Sequence, residues 1–380
     1  MPRRSVLSAA TVLTALLLSS ACNGGGGTPV AESTVAGSPC GTGGKSDPAN
    51  RDAKRPVARC DKGLPGPRPL PQTAKLRFAT AVKAEFIAPL LLAQSKGEFQ
   101  KENLDVEIVV LPFADAVPQV LSGNLDGTTG SLEAGFFNAV NKDIDLTWVA
   151  GNFYPPDAAD PAKAQTGLWA RKSLFTDPAK PDLAQLKGKK LASNVGFTSS
   201  TTYPMAEAFK SSGISVNDVE IVKIPSADQV TALKNGAADM AWLVDPYWLP
   251  IANDSNYVLV ATQPAGEPLG GFFFGPALAK EKRAAGVAFV RALARTINTY
   301  LAGDYQSDPA AVQAIAEATG ATPEAIKGTP SLVFDWEIRA GTTQREQDWF
   351  LQLGRVDYKT AIAESELVDR SFYTDAVEGR

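Results

Sequence analysis

The sequence predicts an α/β fold of two hinged lobes, each a mainly parallel sheet flanked by helices, and three observations lead there. From Leu76 onward, short apolar runs alternate with longer helical segments, the pattern of βαβ units. The chain of 380 residues is also long enough for two cores rather than one. Most telling, a block of sequence returns at one constant offset. Leu76-Arg77-Phe78-Ala79-Thr80-Ala81-Val82 comes back as Lys189-Lys190-Leu191-Ala192-Ser193-Asn194-Val195. Val106-Glu107-Ile108-Val109-Val110-Leu111-Pro112 comes back as Val219-Glu220-Ile221-Val222-Lys223-Ile224-Pro225, and Gly123-Asn124-Leu125-Asp126 as Gly236-Ala237-Ala238-Asp239. Gapless matches at a single spacing indicate a duplicated unit.

The N-terminus reads as an export signal over 1–21: basic Arg3 and Arg4, an apolar stretch from Val6 to Leu18, then small residues before Cys22. A small-residue run ending in Cys and followed by a glycine tract resembles the bacterial lipobox, which implies cleavage before Cys22 and its lipidation. Ser19 stands where such boxes commonly carry Leu, and an ordinary signal peptide with an incidental Cys is the alternative. Residues 22–73 are rich in Gly, Pro, Ser and charge, and are expected to form a flexible tether. Cys40 and Cys60 fall in it, and an oxidising exterior would let them pair.

Each repeat reads as strand, helix, strand, helix, strand. The first helices are expected over 86–100 and 204–212, both ending near a glycine, Gly97 or Gly213. Residues 146–150, 166–170 and 271–274 read as further strands. Beyond them, 282–301, 309–318 and 344–353 carry apolar residues at helical spacing, with Asp308-Pro309 and Thr322-Pro323 as starts. This places lobe 1 at 74–166 and 270–380, with the terminal helices packed on it, and lobe 2 at 167–269.

In open α/β sheets, ligands bind beyond the carboxyl ends of the strands. Applied to both repeats, that rule nominates loops 80–85, 127–133, 196–203 and 244–248. The third carries Thr198, Ser199, Ser200, Thr201, Thr202 and Tyr203 directly before Pro204, so hydroxyls, free amides and a helix dipole could together hold an oxyanion. Plain N-capping is the competing role. Glu85 and Asp245 are suited to an ammonium group, with Trp242 and Tyr247 enclosing it. Glu85 also suits a solvated helix start, Asp245-Pro246 a simple turn, and Trp242 a core position. Thr80, Lys83, Gly130, Ser131, Glu133 and Phe272 complete the candidate lining.

Histidine does not occur anywhere in the chain, which removes the usual general base, the Ser-His-Asp triad and imidazole metal ligands together. No catalytic residue, metal or cofactor is therefore assigned. A net charge of −4 disfavours a nucleic-acid partner.

Leu186-Lys187-Gly188-Lys189-Lys190-Leu191-Ala192, the hydroxyl run, Leu233-Lys234-Asn235-Gly236-Ala237-Ala238-Asp239 and Asp245-Pro246-Tyr247 resemble the ABC-importer binding proteins of the taurine, aliphatic sulfonate and nitrate group. The thiamine-pyrimidine binders are similar too. The resemblance implies a type II periplasmic-binding-protein-like fold, a monomer, and a permease with its ATPase as partners. It also implies extracytoplasmic work at the membrane face, with Ser200, Thr201, Thr202 and Tyr203 matching the loop that holds a sulfonate. Lys83 is the one cation in the nominated loops, which disfavours nitrate. An aminosulfonate such as taurine would suit both the hydroxyls and the acids, and a neutral heterocycle is the alternative. An enzyme on the same fold is the further alternative; the synthases related to these binders depend on His and Cys, which the chain lacks from residue 74 onward, while Glu, Asp, Lys and Tyr could still support catalysis.

Overall fold

The computed structural model describes residues 57–60, 64–155, 166–263 and 270–379. The signal segment, Cys22, Cys40 and most of the tether lie outside these residues.

Among the described residues twelve strands follow in order: β1 (Ala74–Thr80), β2 (Leu104–Val110), β3 (Gly127–Gly130), β4 (Thr147–Gly151), β5 (Phe153–Tyr154), β6 (Gly167–Arg171), β7 (Lys190–Ser193), β8 (Glu220–Lys223), β9 (Met240–Leu243), β10 (Tyr257–Thr262), β11 (Gly271–Phe274) and β12 (Val333–Phe334). Ten of them form two five-stranded sheets, ordered β2-β1-β3-β11-β4 and β10-β6-β9-β7-β8, while β5 pairs with β12. In the first sheet β2, β1, β3 and β4 run one way and β11 runs against them. In the second, β8, β7, β9 and β10 share a direction and β6 is the reversed strand. Each sheet is thus mainly parallel, with one reversed strand in the same relative place.

The repeat is exact in register. Arg77 faces Glu107 as Lys190 faces Glu220, and Phe78 faces Gly127 as Leu191 faces Met240. The recurring aspartates do one job twice. Asp126 Oδ2 accepts the Arg77 amide at 2.8 Å, and Asp239 Oδ2 accepts the Lys190 amide at 2.9 Å. Each carboxylate fixes the strand edge beside it by a charge-assisted hydrogen bond.

The helices are α1 (Ala88–Ser95), α2 (Phe113–Leu121), α3 (Ala134–Val140), α4 (Tyr203–Ser211), α5 (Gln229–Asn235), α6 (Arg283–Tyr300), α7 (Pro309–Thr319), α8 (Pro323–Gly328), α9 (Thr342–Gln352), α10 (Glu364–Leu367) and α11 (Ser371–Glu378). Asp308 caps α7 through the Ala310 amide and Thr322 caps α8 through the Ala325 amide, each with Pro in the first turn. The terminal block packs on the first lobe, where α6 lies against α1 and β2. Phe78, Phe99, Phe272 and Phe274 gather around Phe289 of α6, with ring centroids 4.7–6.1 Å apart.

The end of the segment read as a tether is docked rather than free. Ala58 is fully buried, the Leu70 amide reaches Glu102 O at 3.0 Å, and the Arg68 amide reaches Glu102 Oε2 at 3.1 Å. Arg295 donates to Pro65 O at 3.2 Å, and the Cys60 amide donates to Asn298 Oδ1 at 2.9 Å. Cys60 is disulfide-bonded, to a partner outside the described residues. A polar stretch has no apolar pattern to betray such docking, because its backbone is held by charged side chains remote in sequence.

Candidate functional site

The loops following β1, β3, β7 and β9 hold the nominated residues, and two of these loops meet. The Ala134 amide donates to Thr198 O at 2.9 Å and the Ser200 amide to Leu132 O at 2.8 Å, so Glu133 and Ser199 form an antiparallel bridge between the lobes. Around it, Ser131 Oγ lies 2.7 Å from Ser199 Oγ, which lies 3.0 Å from Thr201 Oγ1. Thr80 ends β1 fully buried, accepting from Thr129 Oγ1 at 2.9 Å and donating to Val82 O at 3.2 Å. Lys83 is exposed. Gly130 is required by crowding, since a Cβ there would stand 2.1 Å from the Phe113 ring.

Within the hydroxyl run the side chains divide. Thr198 is exposed and donates to Val195 O at 2.7 Å, and Thr202 is fully buried and donates to Ser199 O at 2.7 Å. The Tyr203 ring meets Trp349 edge-on at 5.5 Å. Ser200 Oγ is buried with no hydrogen-bond partner among the described residues. The amides expected to be free for an oxyanion are taken. Ser200 N serves Leu132, Thr201 N serves Ser199 Oγ at 3.3 Å, and Thr202 N serves Ser199 O at 3.0 Å. A short 3-10 turn over Ser200–Thr202 closes these bonds before α4 begins, leaving the side chains as the loop's contribution.

The acidic residues are more buried than a solvated loop would make them. Glu85 receives Tyr305 Oη at 2.7 Å, Gln306 Nε2 at 2.9 Å and Thr329 Oγ1 at 2.9 Å. Burial raises its pKa against those hydrogen bonds, and the charge of Asp245 adds to the rise. Glu85 therefore anchors the terminal helices to lobe 1, and its oxygens are not left open for an ammonium as anticipated. Asp245 accepts from the Trp248 indole and holds its own amide on Thr166 Oγ1 at 3.1 Å; burial pushes its carboxyl up to about 6. Burial likewise lifts Glu133 to about 7.

Phe272 does not line a cleft. Phe272 is fully buried beside Phe78 and Phe289, because β11 is the interior reversed strand, and Phe113 packs on Phe273 at 5.2 Å. Trp242 is buried on β9, yet its indole N–H has no partner among the described residues. Tyr247 is half-buried, and burial raises its pKa.

Two polar residues escaped sequence reasoning. Asn152 lies between β4 and β5 with its amide nitrogen on Phe86 O at 2.8 Å, and its Oδ1 is buried with no partner among the described residues. Gln263, following β10, presents an Oε1 that is buried and has no partner among the described residues. Only their positions just beyond strand ends could have marked them. Among the described residues no cluster of His, Cys, Asp or Glu is placed to hold a metal ion. No helix among them is long and apolar enough to cross a membrane.

Paired α/β lobes with matched sheets, each carrying one reversed strand, define the periplasmic-binding-protein fold. The chain belongs to the NMT1/THI5-like family, whose model matches residues 85–302. No curated protein sequence matches it. Among solved structures it is similar to the alkanesulfonate-binding protein SsuA from Xanthomonas axonopodis bound to MOPS. Identity there is 18% and the TM-score 0.58, over 79% of this chain and 100% of the other. It is similar also to the nitrate-binding protein NrtA from Synechocystis, at 14% identity and TM-score 0.62, over 80% and 88%. A DszB variant in complex with biphenyl-2-sulfinic acid shares the fold at 12% identity and TM-score 0.54, over 80% and 98%.

Proposed function

We propose that this protein is the extracytoplasmic solute-binding component of an ABC importer, capturing a small polar organic molecule between its lobes. It hands that molecule to a permease and its ATPase, works as a monomer, and is held at the membrane face by a lipid on Cys22. The observation that carries this reading is the convergence of hydroxyl and carboxylate side chains from both lobes on one set of loops at the strand ends. Such an arrangement traps a solute by differential affinity and requires no bond to break.

The ligand best suited to these groups is a sulfonate or aminosulfonate of the taurine kind. Ser200 Oγ and the Trp242 indole are buried groups able to donate to an anionic end, while Asp245 and the acceptor oxygens of Asn152 and Gln263 suit an ammonium. The sulfonate-binding neighbour supports the same choice. Taurine and short alkanesulfonates are expected to raise the melting temperature of the purified protein, and no shift at saturation would refute the choice of ligand. Alanine at Ser200 and Thr201 should then weaken a sulfonate by about tenfold or more, since each removes a hydrogen bond to a charged group, and a neutral heterocycle much less. Thr202 is a poor probe because its hydroxyl is spent on Ser199 O. For the anchor, intact mass of the protein extracted from membranes should show diacylglycerol on a chain beginning at Cys22; an unmodified N-terminus would refute it.

A further inference from the structure

We propose that residues 132–134 and 198–200 form a latch, made wholly of protein atoms, that holds the two lobes together independently of any solute. The inference rests on the two-lobed fold and not on the choice of ligand. Glu133 and Ser199 are the N-cap residues of α3 and of the turn leading into α4, both extended, with φ/ψ of −114°/151° and −129°/143°. Two helix starts therefore meet nose to nose. The first amide of each, Ala134 N or Ser200 N, donates to the carbonyl preceding the other's cap, Thr198 O or Leu132 O. In this antiparallel pattern the bridged residues form the closely spaced pair, with side chains in contact on one face.

The side chains extend the bridge. Thr201, Ser199 and Ser131 form a run of hydroxyls from lobe 2 into lobe 1, ending where Ser131 Oγ lies 3.4 Å from Glu133 Oε1. Each amide in the ladder would be an orphan donor of a helix start. Closure satisfies both at once, and opening returns them to water. The latch also assigns the hydroxyl loop a second role. While it is engaged, the Ser200 amide belongs to lobe 1, so a solute meets the loop through the side chains of Ser200 and Thr201.

The geometry offers matched probes. Ala134 and Ser200 both occupy first helical positions, where proline is tolerated, and both follow an extended residue, as proline demands. Ser200→Pro and Ala134→Pro thus each delete one latch amide without opposing the local backbone. A Ser131→Cys/Ser199→Cys pair reports engagement, because hydroxyls 2.7 Å apart mark positions within reach of a disulfide. In the purified full chain with no solute added, the cysteine pair should cross-link readily. Either proline should slow cross-linking about tenfold, the ratio expected for one backbone hydrogen bond with its partner left unsatisfied. Cross-linking that requires a solute, or that neither proline slows, overturns the latch. Circular dichroism of each proline variant separates unfolding from opening, and the second variant serves where one fails to fold. A failed solute titration leaves these outcomes unchanged, so the latch and the importer reading stand or fall separately.

Discussion

Replacing Glu102 with alanine is expected to destabilise the folded chain by about 3–5 kcal/mol, the cost of breaking a buried ion network from one side. Glu102 is fully buried between two buried arginines of α6. Its Oε2 receives Arg291 Nη1 at 2.8 Å and the Arg68 amide at 3.1 Å, and its Oε1 receives Arg295 Nη1. Arg295 also holds Glu98 Oε2 at 2.9 Å. Burial already lowers the pKa of Arg291, and the Glu102 charge opposes that fall, so truncation leaves a guanidinium with its desolvation uncompensated. Two contacts tying residues 64–70 to the lobe pass through Glu102 as well, its backbone oxygen on Leu70 and its carboxylate on Arg68. Urea unfolding should report the loss. The exposed pair Arg77–Glu107, 3.0 Å apart on the sheet edge, is the control and should change stability by about 0.5 kcal/mol or less. A Glu102→Ala cost as small as the control's would remove the network from any account of stability.

Raising the pH from 5 to 8 is expected to shift the lobes toward the open state, by on the order of a hundredfold in the open-to-closed ratio. Burial raises the Glu133 carboxyl to about 7 from an ordinary value of 4.5, and because Glu133 sits in the bridge to Ser199, separation of the two loops is expected to return it to water. The closed state therefore binds the proton more tightly than the open one. Its advantage is complete below about 4.5, shrinks as the pH climbs, and is gone above about 7. Asp245, lifted to about 6, titrates in the same window, so the wild-type profile is compound. Glu133→Gln isolates the first contribution, because it keeps the shape and removes the titration. Distances between spin labels on the two lobes, followed against pH, would show a flattened profile in that variant. An unchanged profile would assign the transition elsewhere.

What the sequence made legible is what repeats or alternates. The duplicated unit could be read directly because its strands, its Gly-x-x-Asp turns and their offset are local signals, and Asp126 and Asp239 turn out to perform the same backbone function. The α7 and α8 starts were equally plain from Asp308-Pro309 and Thr322-Pro323. The misread residues are those whose partners are remote. Glu85 looked like an open carboxylate until Tyr305, Gln306 and Thr329 arrived from the terminal block. Phe272 looked like a lining residue until the reversed strand placed it mid-sheet. The hydroxyl run marks a special loop, but only the neighbouring lobe shows that the Ser200 amide is engaged, and only the local 3-10 turn that Ser199 takes the amides of Thr201 and Thr202.

The exchange of reversed strands between the sheets has a mechanical consequence. Strand β6 opens the second lobe's share of the chain, whereas β11 returns to the first sheet only after that lobe is built. The backbone must therefore pass from one sheet to the other twice, and two passages restrict how the sheets can be displaced against each other more than a single one would. A contact as short as Glu133 with Ser199 then needs little of its own to keep one register, as a strike plate needs little when the door already hangs true in its frame.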